Sequence, residues 1–67
     1  MMEISELEAL REAGTVHVFR GRFGGTPEGL RGRVVSVGAP ADPDVVTVRS
    51  VDGNTRRNWN RHTMSVA

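Results

Sequence analysis

The run Arg56-Arg57-Asn58-Trp59-Asn60-Arg61-His62 holds the densest chemistry in this 67-residue chain. Its guanidinium groups can neutralise phosphates, and the indole among them can stack on a base. Tryptophan is also the residue best suited to plug a small β-barrel, and the chain has one. Both roles are carried for Trp59. The core plug has the greater weight, because no other side chain here fills a barrel so well. If residues 55–59 form a strand, alternation puts Arg57 on the face of Trp59 and Arg56 on the opposite face. An inward Trp59 then predicts an outward Arg56 and an Arg57 near the barrel edge.

A second basic patch is expected from Arg20-Gly21-Arg22 and Arg31-Gly32-Arg33, which bracket a glycine-rich stretch. Arg-Gly-Arg is similar to the core of AT-hook-like motifs, which lay arginines along a narrow minor groove. Flanking prolines and a flexible tail are missing here, and glycines at turns beside solubilising arginines are the simpler reading. Phe23 lies inside the glycine stretch, either as an exposed anchor for a partner or folded back over a barrel mouth.

Other chemistries find less support. His17 and His62 would under-ligate a metal, and there is no cysteine to help. Ser36, Ser50 and Ser65 sit in no nucleophile motif. Glu3, Glu6, Glu8 and Glu12 fall on a helix, with no sign of the cleft that paired-carboxylate catalysis needs. The glycine stretch lacks the Gly-Lys-Ser/Thr ending of a phosphate-binding loop. The expectation is a binding module without catalytic activity, cofactor or metal.

Composition sets the frame for these groups. All nine basic residues are arginine. A GC-rich genome accounts for that, and a phage or actinobacterial source fits; planar, bidentate contact to phosphate or carboxylate is the functional alternative. Net charge is +1 but unevenly spread. Residues 1–12 hold four glutamates against Arg11, a net of −3, and residues 13–67 hold eight arginines against four acids, a net of +4. Such asymmetry points to a polyanion partner, or to the acidic arm covering the basic surface. No apolar run approaches the ~20 residues that span a bilayer. The acidic N-terminus argues against a secretory signal, so a cytoplasmic protein with no membrane partner is expected. A chain this short buries only about 60% of the surface its unfolded form exposes. One domain is expected, stabilised by aliphatic packing or by a second copy of the chain.

The elements follow from periodicity. Residues 1–13 read as a helix, with Ser5 and Glu8 at capping-box spacing, an Ile4-Leu7-Leu10 stripe, and Gly14 as the stop. Residues 14–67 read as strands. Thr15 to Arg20 alternates, with Val16 and Val18 placed inward. Residues 21–32, with five glycines and Pro27, are expected to form a loop. Arg33 to Val37 follows with Val35 and Val37 inward, then a turn over 38–44. Val45 to Val51 should turn Val46 and Val48 inward, and Val45, Thr47 and Arg49 outward. Asp52-Gly53 favours a two-residue hairpin turn. The return strand is Thr55 to Trp59, then one turn over Asn60 to His62 and a last strand from Thr63 to Val66.

Long loop, medium loop, tight hairpin, single turn: this is the layout of a five-stranded SH3-like barrel, here mostly β with a short N-terminal α-helix. Gly14-x-Val16-x-Val18-x-x-Gly21-x-Phe23-x-Gly25, then Gly29 or Gly32 before Val34 and Val35, resembles the KOW motif of ribosomal proteins and transcription elongation factors. The resemblance implies binding to RNA, or to proteins of the translation and transcription machinery. The leading expectation is nucleic-acid binding, RNA or DNA, through Arg56, Arg57 and Arg61, with Arg20, Arg22, Arg31 and Arg33 as the second patch. The alternative is a protein-interaction or assembly module, such as a phage structural or host-interaction protein, using Phe23, Trp59, an edge strand or the helix and including self-association as a homo-oligomer.

Overall fold

In the computed structural model, which describes residues 1–67, the glycine stretch is the centre of a long hairpin and not a loop. Strand β1 (His17–Phe23) and strand β2 (Thr26–Val37) pair antiparallel from His17↔Gly32 to Phe23↔Thr26. Gly24 and Gly25 form the two-residue turn with φ of 58° and 83°. Positive φ at both positions matches the strand twist and favours glycine. Gly21 and Gly32 serve a different need, close approach. A Cβ on Gly21 would lie 2.5 Å from the Trp59 ring, and one on Gly32 would run into the Arg49 carbonyl. Glycine thus marks contact points inside strands here, which is why composition alone suggested a loop.

The remaining elements are β3 (Val45–Ser50), β4 (Arg56–Asn60), a 3₁₀ turn (Arg61–Thr63) and β5 (Ser65–Val66), preceded by helix α1 (Ile4–Ala13). The strands form one antiparallel sheet in the order β4-β3-β2-β1-β5. This is the mostly β, five-stranded SH3-like architecture with a short N-terminal helix. Hydrogen bonding leaves the sheet open between β4 and β5. Closure comes from packing: the Trp59 indole on β4 lies flat against Gly21 on β1.

The buried core is Met2, Leu7, Phe19, Val34, Val46, Val48, Trp59 and Met64, with Leu10, Leu30 and Val37 packed against it. Val46, Val48 and Trp59 match the expectation from alternation. The first strand has the opposite face inward. Phe19 is fully buried, whereas Val18 is exposed and Val16 half-buried. Phe19 buries more apolar area than valine, and its face carries Gly21, which leaves space for the indole. His17, on the same face, meets the Phe19 ring edge-on at a centroid distance of 5.8 Å. In β2 the pairing with β3 shifts register between Val34 and Ser36, so Val34 and Val37 turn inward and Val35 projects into solvent. A bulge breaks the two-residue period, so Val35 is not a core residue.

The helix begins two residues before the expected cap at Ser5. Glu3 is the N-cap residue, without a side-chain hydrogen bond, and Glu8 pairs with Arg11 at 2.8 Å instead of closing a capping box. Gly14 ends it at φ 65°, its N–H reaching the Leu10 and Arg11 carbonyls. Leu7 is fully buried and Ile4 exposed. Because Met2 and Leu7 belong to the core, this segment is part of the domain and not a detachable arm. No helix is long and apolar enough to cross a membrane.

The turn after β3 is wider than the two residues expected. Val51 to Thr55 link the strands; only Gly53 has positive φ, at 80°, and Asp52 stays in ordinary backbone space. Its carboxylate accepts hydrogen bonds from the Ser50 hydroxyl and the Asn54 N–H, building an Asx turn.

Candidate nucleic-acid interface

The hairpin sorts its side chains strictly. Phe19, Gly21 and Glu28 face the barrel, while Arg20 and Arg22 on β1 and Arg31 on β2 project outward. Gly29 lies directly opposite Arg20, so a glycine floor separates the arginines. The result is an open groove of about 580 Å³, lined by Arg20, Arg22 and Arg31 together with Val18, Pro27, Thr63 and Glu28, whose carboxylate is bonded to Arg57 and Trp59. Arg22 also donates to the Gly25 carbonyl at 2.9 Å, which holds it against the turn.

A second arginine group comes from register. Arg33 on β2 pairs with Arg49 on β3, and Arg49 pairs with Arg56 on β4. All three are exposed and share the outer face, since their neighbours Val34, Val48 and Arg57 turn toward the barrel. With strands about 4.8 Å apart, the row spans about 10 Å. Arg33 donates its Nε to the Gly14 carbonyl at 2.9 Å, at the negative end of α1. Neither Arg49 nor Arg56 has a carboxylate partner. Like charges directly opposite across strands are destabilising, so this row is held at a cost to the fold.

Arg49 was absent from the residues expected to bind. The signal for it was present. An Asp52-Gly53 turn pairs Val51 with Asn54, and the same register puts Arg49 opposite Arg56. Its pairing with Arg33 was not legible, because it depends on the bulge in β2. If the pairing of Ser36 with Thr47 continued without a bulge, Arg33 would stand opposite Ser50.

Two expected phosphate-binding arginines are engaged elsewhere. Arg57 lies on the barrel side, as predicted for an inward Trp59, and its Nε meets Glu28 Oε1 at 2.9 Å. The same oxygen accepts the Trp59 Nε1–H at 2.9 Å, so one carboxylate on β2 fastens both β4 residues. Arg61 is mostly buried and donates its Nε to Asp44 Oδ1 at 2.8 Å. Its Nη1 reaches the Met2 carbonyl at 3.3 Å, tying the N-terminal segment to the β2–β3 connection. The Arg61 hydrogen bond is the chief reason the Asp44 carboxyl titrates below the ordinary aspartate range, and the charges of Arg61 and His62 act in the same direction. The Asp52 carboxyl is lowered too, chiefly by the Ser50 hydroxyl.

Of the two expected interaction residues, Trp59 is 1% exposed and cannot stack on an external base; it is the core plug. Phe23 stands at the hairpin tip, 61% exposed, and does not fold over the barrel. The glutamates of α1 make no ion pair with the barrel arginines, so the acidic segment leaves the basic surface uncovered. No three His, Cys, Asp or Glu side chains come together as a metal site.

No protein-family model matches this chain, and no match to it is found among curated proteins or solved structures. Its likeness to known barrels is therefore one of layout.

Proposed function

We propose that this protein is a non-enzymatic nucleic-acid-binding module that works through its arginine-rich outer face. The observation that carries the reading is the Arg33–Arg49–Arg56 row. Three like charges stand in register on neighbouring strands, and the fold supplies no carboxylate to relieve the last two. A polyanion relieves that repulsion on binding. The groove arginines Arg20, Arg22 and Arg31 add charge on the same hairpin system. The Gly14–Val35 resemblance to KOW barrels, whose members bind RNA or proteins, supports the same direction. Arg57 and Arg61 leave the set of contact residues, because their guanidinium groups are held by Glu28 and Asp44.

Arg49→Glu tests this with two readouts of opposite sign. Glutamate at 49 faces an arginine on each side, and opposite-charge cross-strand pairs contribute about 0.2–1 kcal/mol each. Solvent screening keeps the sum at the lower end, about 0.5–1 kcal/mol. The variant should therefore melt at or above the wild-type temperature while binding nucleic acid at least tenfold more weakly. With six phosphate contacts the wild-type log–log salt slope is about −5 on a duplex. Wild-type binding that ignores salt, or an Arg49→Glu protein that binds as well as wild type, refutes the proposal.

A protein-interaction role has one observation in its favour, the exposed Phe23 at the hairpin tip. Sedimentation across a concentration series, with Phe23→Ala beside the wild type, separates the two. Self-association abolished by that substitution, with no salt-dependent nucleic-acid binding, selects the second reading.

A further inference from the structure

Resting on the basic-face reading, the surface chemistry also selects the form of nucleic acid. Proteins that hold single strands set aromatic rings beside a positive groove, so that successive bases stack on them. The aromatic residues within this sheet turn the other way: Phe19 and Trp59 are buried. Phe23, on the same side of β1 as Phe19 and Gly21, stands opposite the side from which Arg20 and Arg22 project.

The two amides on the outer face of β4 are held through their oxygens. Side-chain amides recognise bases by paired hydrogen bonds. Asn58 shares the outer face with Arg56, but its Oδ1 accepts the Thr47 hydroxyl at 2.7 Å. Asn60 uses its Oδ1 to accept the His62 N–H at 2.9 Å. What the face offers is guanidinium, glycine and short aliphatic surface, which suits phosphate and sugar. Duplex DNA carries one charge per about 1.7 Å of axis, twice the density of either strand. A surface that binds by charge, without stacking, gains most from that density.

We infer that the partner is a double helix, gripped by its phosphate backbone without regard to base sequence. One sugar–phosphate ridge lies in the groove over Gly29, between Arg20, Arg22 and Arg31, while Arg49 and Arg56 take phosphates on the adjoining face. DNA and RNA duplexes share this chemistry, and the experiment separates them.

Fluorescence anisotropy with the full chain is run on labelled DNA duplex, RNA duplex and the component single strands, in two unrelated sequences and at two salt concentrations. A duplex bound at least about tenfold more tightly than its strands, with about twofold or less between sequences, is the expected result; the tighter duplex names the helix form. Single strands bound as tightly as duplex overturn this inference but leave the basic-face reading standing. Absence of salt-dependent binding to every probe overturns the basic-face reading itself. Gly29→Val places the backbone. Its Cβ would sit 3.6 Å from the Phe19 carbonyl, an ordinary contact, so the protein should keep its melting temperature while the groove floor fills. About a tenfold loss of duplex affinity is expected, and unchanged affinity in this folded variant rules the groove out. Phe23→Ala should leave duplex binding untouched; a loss confined to single strands would put base stacking at the hairpin tip and refute the inference.

Discussion

Gly21→Ala tests the packing that closes the barrel. The added Cβ would lie 2.5 Å from Trp59 Cδ2 and 2.6 Å from Cγ, against an optimum of about 3.5–4.0 Å between carbons. The obstacle is a rigid ring and not the end of a flexible chain, so the indole must move by about 1 Å. Overpacking of this kind costs about 1–3 kcal/mol. The move also strains the Trp59 Nε1–H bond to Glu28, and a hydrogen bond to a charged group contributes about 1.5–3 kcal/mol, part of which is lost. Against this, alanine gains about 0.4–1 kcal/mol over glycine through the unfolded chain. The net is a destabilisation of about 2–3 kcal/mol, in a domain whose size suggests a total of about 3–10 kcal/mol. At about 4–8 °C per kcal/mol, the melting temperature falls by roughly 10–20 °C. Thermal and urea unfolding followed by the fluorescence of the single tryptophan supply the measurement. Gly29→Ala is the internal control, since its Cβ meets nothing closer than 3.6 Å and it should be neutral or slightly stabilising. If the two variants unfold within about 0.5 kcal/mol of each other, Trp59 does not rest on Gly21 and the account of barrel closure fails.

Gly32→Ala should be more damaging, because its Cβ would strike the Arg49 backbone, which cannot swing aside; loss of the cooperative transition in circular dichroism is the expected result, and a wild-type melt would contradict the β2–β3 register. Glu28→Gln keeps an acceptor for the indole and should cost under about 1 kcal/mol. Glu28→Leu strands a buried Trp59 N–H and should cost about 1–3 kcal/mol, so equal losses would remove Glu28 from its shared role. The Asp44 carboxyl titrates below its unfolded value because Arg61 donates to it. The stability it contributes is thus full above the unfolded value near 3.9 and is lost as pH falls through the folded one. Asp52 acts in the same direction. Acid titration of Asp44→Asn should therefore show a shallower loss of stability below about pH 4 than wild type, and an unchanged slope would deny the pair its role.

The alternating valines of β3, the single tryptophan and the Gly14 stop were legible in the chain, because each depends on local geometry: a period of two, a unique volume, a positive φ. The outward Arg56 and inward Arg57 follow from Trp59 by the same alternation. The orientation of β1 was not legible. Alternation says which residues share a face, but the Phe19 face, and not that of Val16 and Val18, also carries Gly21, which meets an indole 38 residues away in sequence. The same holds for glycine itself, which reads as a loop former until its neighbour across the sheet is known.

For the basic surface, composition and spacing supply nine arginines, a net positive charge over residues 13–67 and two Arg-Gly-Arg triplets around a glycine-rich stretch. Tertiary structure decided their use. Carboxylates at Glu28 and Asp44 capture Arg57 and Arg61, while one extra residue in β2 brings Arg33, Arg49 and Arg56 into a row. Charge is a property of composition, but whether a charge is paired or free depends on distance, and distances across a sheet are set by register.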